Sequence, residues 1–170
     1  MASIVRSLRP VASRLSARSS APIRSSFRAS SRPFSVSVAV QAKKYTKDHE
    51  WVDLSDDKKT GTIGISDYAA HALGDVVYVE LPTIHMEVTK GDAIGAVESV
   101  KSASDINSPI SCTVTGVNEY LEEKPGAINQ GPEDEGAGGG WIAKVEVGEA
   151  GVKDLDDLMD AEAYKKFTEE

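Results

Sequence analysis

The chain has 170 residues and a formal net charge of −8, enough for one domain with a tail but not for two sizeable cores. Its charge is split: residues 1–42 hold seven Arg, twelve Ser and no Lys, Asp or Glu, whereas the rest holds 12 basic and 27 acidic side chains, a net of −15. An acidic body excludes a binder of nucleic-acid phosphates, the single Cys112 excludes an intrachain disulfide framework or a cysteine-rich zinc site, and no apolar run approaches the roughly 20 residues that span a bilayer.

The Arg- and Ser-rich, acid-free composition of residues 1–42 is that of a mitochondrial transit peptide, which places a body of residues 43–170 in the mitochondrial matrix, a reducing compartment that suits one unpaired cysteine. Arg6, Arg9 and Arg14 fall near helical spacing opposite Ile4, Val5, Leu8 and Val11, so this stretch is expected to form an amphipathic helix on a receptor. Cleavage is expected between Arg32 and Lys43. Composition also admits a basic nucleic-acid arm or a disordered solubilising extension, although the former usually mixes Lys with Arg and precedes a basic domain. The acidic surface favours a monomer that meets basic docking surfaces by electrostatic steering.

His49 to Leu54 alternates as a strand, Asp56-Asp57-Lys58-Lys59 forms a charged turn, and Thr60 to Ile65 returns, with Trp51 as a core or cleft aromatic. Ser66 or Asp67 can cap a short helix through Tyr68, Ala69, Ala72 and Leu73, which Gly74 stops as a left-handed residue. Val76 to Leu81 is the strongest strand, ended by Pro82. A turn through Thr83, Ile84 and His85 leads to Met86-Glu87-Val88-Thr89.

Gly91 to Pro109 follows as a β-hairpin: a Gly-Asp turn, a small apolar strand, a lysine, and a return through Asp105 and Ile106 to Ser-Pro. Gly91-Asp92 and Ser108-Pro109 lie at similar distances on either side of Lys101, the arrangement of a lysine at a hairpin tip. Spacing alone favours the ordinary exposed turn lysine.

After Pro109, Thr113 to Val117 alternates, and Asn118 to Leu121 reads as a capped helical turn. Residues 124–140 carry Pro125-Gly126, Gly131-Pro132 and Gly138-Gly139-Gly140 in a run of low hydrophobicity and read as a surface loop. Trp141 to Val147 alternates again and should close the sheet. The period then changes: Val152, Leu155, Leu158 and Met159 recur at helical steps, and Asp160 can cap a second helix carrying Ala163, Tyr164 and Phe167. The pattern is a mainly β body with α additions, a short internal helix and C-terminal helices over 152–170.

Glu98-Ser99-Val100-Lys101-Ser102-Ala103-Ser104-Asp105, with Tyr45 to Val52, Gly64 to Ala69, Leu73 to Pro82 and Gly140-Trp141 in the same order, resembles the glycine cleavage system H-protein family from about Lys43 to the C-terminus. The resemblance implies a barrel-sandwich hybrid, the lipoyl-domain fold, which periodicity could not have selected. It implies lipoate attached covalently to Lys101 and a carrier that is not itself an enzyme. Its partners would be a pyridoxal-phosphate glycine decarboxylase that supplies an aminomethyl group, an aminomethyltransferase using tetrahydrofolate, dihydrolipoamide dehydrogenase, and a lipoyl-attaching enzyme. By position, Glu50, Asp105 and Asp48 match residues lining a cleft for the aminomethyl arm, and Glu98 matches a position read by the attaching enzyme. The bland reading of each is a solvated carboxylate. Glu50→Ala is accordingly expected to speed loss of the aminomethyl group.

Asp48 stands where relatives often carry Ser, and Ser111-Cys112 replaces a common Ser-Gly, which puts that turn in question because Cys resists positive φ. His85 occupies a turn position where Gly is frequent, and residues 133–140 form a long, glycine-rich loop. His49, with no nucleophile signature and no second ligand at metal spacing, reads as a structural or partner-contact residue rather than a general base. The alternative function is a lipoyl or biotinyl carrier of another multienzyme complex, but a biotinyl lysine is typically flanked by Met, and here Val100 and Ser102 stand beside it.

Overall fold

The computed structural model describes residues 42–169; the expected leader, its helix and its cleavage site lie outside them. The described residues form nine strands: β1 (Lys44–Tyr45), β2 (Glu50–Leu54), β3 (Thr60–Ile65), β4 (Val76–Glu80), β5 (Glu87–Val88), β6 (Ala93–Ser99), β7 (Ala103–Asn107), β8 (Cys112–Val117) and β9 (Ala143–Val147). Five short helices join them: α1 (Asp67–Leu73), α2 (Tyr120–Glu123), α3 (Ala127–Gln130), α4 (Glu149–Asp154) and α5 (Ala161–Glu169). Six strands make one sheet in the order β1-β2-β3-β9-β8-β5, and β4-β6-β7 make a second; every pairing is antiparallel. Neither sheet closes on itself, so the architecture is the expected barrel-sandwich type, mostly β with short helices. No described helix is long and apolar enough to cross a membrane.

One apolar cluster joins the two sheets, with Val52, Ile63, Val114 and Val145 from the first and Val79, Val97 and Ile106 from the second. Strand β9 illustrates how sequence makes this layer: Ala143, Val145 and Val147 are buried while Lys144 and Glu146 face solvent, the period of a half-buried strand. It lies between β3 and β8, so it is an interior strand rather than the closing one. The hairpin β6-β7 packs close to β4. At Gly95, where the register slips, a Cβ would stand 2.2 Å from the Glu80 carbonyl oxygen, and no larger residue fits there.

Ser66 caps α1 as expected, its Oγ accepting from Ala69 N. Gly74 stops the helix at φ 78° and ψ −155°, which is not the expected left-handed helical conformation but an extended one at positive φ, open in practice to glycine alone. His85 has φ 68°, in keeping with a turn position that favours glycine. Cys112 has no positive φ; it opens β8 as a buried strand residue, so the doubt over that turn falls away.

Three other expectations need correction. Residues 124–140 are not wholly loop: Ala127 and Ile128 are buried in α3, and their core contacts order a helix too short to form on its own propensity. Asn118 does not cap α2; its Nδ2 donates to the carbonyls of Gly139 and Trp141 at 2.9 and 2.8 Å, and tethers that loop instead. The first C-terminal helix begins earlier, at Glu149, and runs through a 3₁₀ turn (Leu155–Asp157) into extended Leu158, whereas Asp160 does cap α5 by accepting from Ala163 N.

On β2, burial and the Glu135 carboxylate push Asp53 from the usual 3.8 up to about 6. A carboxyl raised on folding holds its proton in the folded state after the unfolded chain has released it. Stability is therefore expected to fall as pH rises from about 4 to about 6. Urea midpoints across this window should decline for the native chain and decline less for Asp53→Asn. Exposed Asp57, Asp92 and Asp157, held below their usual range by hydrogen bonds, act in the opposite sense at lower pH.

Candidate functional site

The β6-β7 hairpin is built to hold its tip still. Ser99 Oγ accepts from the backbone N–H groups of Lys101 and Ser102 at 3.1 and 3.0 Å, and Ser99 N donates to the Ser102 carbonyl at 2.7 Å. Val100 N donates to the Asp75 carbonyl at 3.1 Å, which ties the turn to the segment after α1. At the base, Gly91 N donates to Ser108 O and Ser108 N to Asp92 O, both at 2.8 Å. Ser99 organises this turn through side chain and backbone together, a role that serine composition does not reveal.

Lys101 is exposed at the tip, as expected. Its ammonium donates to the Ala72 carbonyl at the end of α1, at 3.4 Å, and its methylenes lie over Gly74. Val100 beside it is 67% exposed, an apolar residue left in water next to the lysine.

Beside this tip is a cleft of about 250 Å³. Asp48, His49 and Glu50 form one wall; Ala69, Ala72 and Leu73 of α1 form the second; Val97 and Ser102, Ser104, Asp105 and Ile106 complete it. The structure thus brings together Glu50, Asp105 and Asp48, which lie far apart in sequence. Glu98 is exposed on β6, paired with Ala103 and Tyr78, and does not line the cleft. A larger depression of about 450 Å³ lies over β2, β3 and β9, away from the hairpin, with Asp53, Glu135 and Lys144 around it.

The carboxylates differ in availability. Glu50 is 2% exposed; one oxygen accepts from Asn107 N at 3.0 Å and the other from Thr46 Oγ1, so the group joins the first turn to the end of β7. Asp48 and Asp105 are exposed, and the Asp105 carboxylate has no hydrogen bond or ion pair with the described residues. Asp105 is therefore free to receive a cation, whereas Glu50 can do so only through its remaining lone pairs.

His49 adopts φ 75°, and its Nδ1 lies 2.8 Å from Tyr164 Oη. Its ring sits 4.7 Å from Tyr68 and 5.9 Å from both Tyr164 and Phe167. It is a packed wall residue rather than a base with a nucleophile. Burial pushes the Cys112 thiol up, away from the reactive thiolate.

The family model described as "Glycine cleavage H-protein" matches residues 43–170. Glycine cleavage system H protein 2, mitochondrial, of Arabidopsis thaliana is 49% identical over 134 residues, covering 79% of this chain and 81% of its own. The glycine cleavage system H protein of Thermotoga maritima is 45% identical over 128 residues, covering 75% and 97%. The crystal structure of a glycine cleavage system H protein from Mycobacterium marinum superposes with a TM-score of 0.60 at 34% identity, covering 74% of this chain and 95% of the other.

Proposed function

The chain belongs to the glycine cleavage H-protein family, and from that premise we propose that Lys101 carries lipoate as an amide and that the neighbouring cleft receives the loaded end of the arm. The protein is the carrier of the glycine cleavage system. The observation that supports the finer reading is one exposed lysine on a braced hairpin tip, beside a cleft with apolar walls and an unengaged carboxylate.

The residues present fit the group. Acylation removes the lysine charge but keeps one N–H on Nζ, which leaves a donor for the Ala72 carbonyl. Ala69, Ala72, Leu73, Val97 and Ile106 offer the apolar surface that an alkyl chain requires. When bound, lipoate would supply the chemistry, its oxidised dithiolane taking up an aminomethyl group and its reduced dithiol giving up electrons. The chain's own residues tether, shelter and orient it. The tether raises the effective concentration of the reactive end at each partner. Asp105 meets the cationic amine with a charge-assisted hydrogen bond, and the cleft walls restrict water.

We assign the catalytic steps to the partners: the pyridoxal-phosphate decarboxylase, the tetrahydrofolate-dependent aminomethyltransferase and dihydrolipoamide dehydrogenase, with a lipoyl-attaching enzyme that reads the hairpin around Glu98. The composition of residues 1–42 and the mitochondrial relatives support import into the matrix, with the body starting near residue 43. Bacterial relatives share the body, so the destination rests on the tail.

Intact mass of the mature protein tests the reading: one lipoyl group on the peptide bearing Lys101 is expected, and a biotinyl group or an unmodified lysine in the active protein overturns it. Asp105→Asn should speed loss of the aminomethyl cargo roughly tenfold, the worth of one charge-assisted hydrogen bond, with little change in stability. Glu50→Ala should also speed that loss. It should in addition lower stability by about 1–3 kcal/mol, because the Asn107 N–H loses its acceptor. Decay of the loaded form and urea denaturation separate the two.

A further inference from the structure

A buried hydroxyl links the C-terminal helix to two walls of the cleft without entering it. Tyr164 on α5 is 7% exposed, and its Oη stands 2.7 Å from Ser66 Oγ and 2.8 Å from His49 Nδ1. Ser66 caps α1, whose Ala69, Ala72 and Leu73 form one wall; His49 stands in another. Ser66 N also donates to the His49 carbonyl at 2.8 Å, so both walls meet at this one point behind the cleft. The Tyr164 ring is held in turn, stacked on Tyr45 with centroids 4.4 Å apart and planes 8° from parallel.

The direction of the hydrogen bonds follows from counting donors. Ser66 is fully buried, and its Oγ already accepts from Ala69 N. Among the described residues the only acceptor in reach of its hydroxyl hydrogen is Tyr164 Oη. Tyr164 must then give its own hydrogen to His49 Nδ1, which leaves the imidazole hydrogen on Nε2. The reverse direction strands the Ser66 hydrogen in the interior without a partner. His49 holds a positive φ that a non-glycine residue avoids, and such a conformation persists only where its surroundings over-determine it. Here they do: its carbonyl, its Nδ1 and its ring are all engaged.

We propose that Tyr164 is the positioning residue of the arm cleft: it fixes His49 as the Nε2–H tautomer and locks the His49 wall to the capped start of α1. Its bearing on cargo retention rests on the carrier reading above; the hydrogen-bond chain does not.

The test uses the full chain and Tyr164→Phe, which keeps the ring stacked on Tyr45 and removes only the hydroxyl. Long-range proton–nitrogen correlation of the His49 imidazole in the unmodified native protein should show Nδ1 bare and Nε2 protonated. In Tyr164→Phe both nitrogens should move toward the averaged shifts of mixed tautomers. With lipoate attached and the aminomethyl cargo loaded, the variant should lose its cargo at least about fivefold faster than the native chain, at unchanged extent of lipoylation. Hydrogen on Nδ1 in the native protein, or unaltered cargo decay in a variant whose tautomer has changed, overturns the proposal. A native chain that accepts no lipoate would count against the carrier reading instead, and the tautomer measurement would still decide the hydrogen-bond chain.

Discussion

Lys101→Arg is expected to abolish lipoylation and, with it, all glycine cleavage that depends on this protein, while leaving the fold intact. The guanidinium stays protonated at any working pH and offers no free amine for acylation, although it preserves charge and length. The side chain is exposed and its one hydrogen bond, to the Ala72 carbonyl, is long at 3.4 Å, so stability should move by no more than about 0.5 kcal/mol. Intact mass and a reconstituted glycine-cleavage assay check both halves. A lipoyl group on any other lysine, or substantial residual turnover, would mean that the hairpin tip is not the mounting point.

The second large effect concerns Trp51. Sequence pattern left it as a core or a cleft aromatic; in the structure it is fully buried and does not line the cleft. Its Nε1 donates to the carbonyls of Ile65 and Pro132 at 2.9 and 3.2 Å, Gly64 gives its ring room, and Lys43 Nζ stands 4.3 Å from the ring centre. Trp51→Ala should cost about 3–5 kcal/mol, a large share of the stability of a domain this size. Urea denaturation followed by circular dichroism would measure it. A loss below about 1 kcal/mol would show that the ring is not part of the packing.

What was legible in the sequence was whatever is local. Strands β8 and β9 announce themselves because buried positions alternate with more exposed ones, whereas β2 and β3, buried along most of their length, are marked by the charged turn between them. The Ser66 and Asp160 caps were readable for the same reason: each bonds an N–H three residues on. Helix α3 was not, because Ala-Ile-Asn-Gln between Pro-Gly and Gly-Pro has no periodicity to read; it exists because Ile128 finds the core. Asn118 misled because the side chain that caps helices also serves to bond distant carbonyls. The Lys101 tip was legible in the turns spaced on either side of it and the membership of the cleft followed from resemblance, but the division between an engaged Glu50 and a free Asp105 did not, since it depends on Thr46 and Asn107. Tyr164 was visible only as a helix residue. Its partners lie 98 and 115 positions away, and no window of sequence holds both ends of such a contact.

The pairing of Tyr45 with Met159, through two backbone bonds of 2.9 Å, sets an order of events for the newborn chain. Edge strand β1 finds its second neighbour only in the segment leading into α5, so the start of the body cannot finish folding until its end has arrived. Contacts that join opposite ends of a chain are the slowest to form. In a polypeptide made N-terminus first, this edge of β1 therefore stays unpaired until Met159 emerges. Met159 and the segment leading into α5 are the latch on that edge.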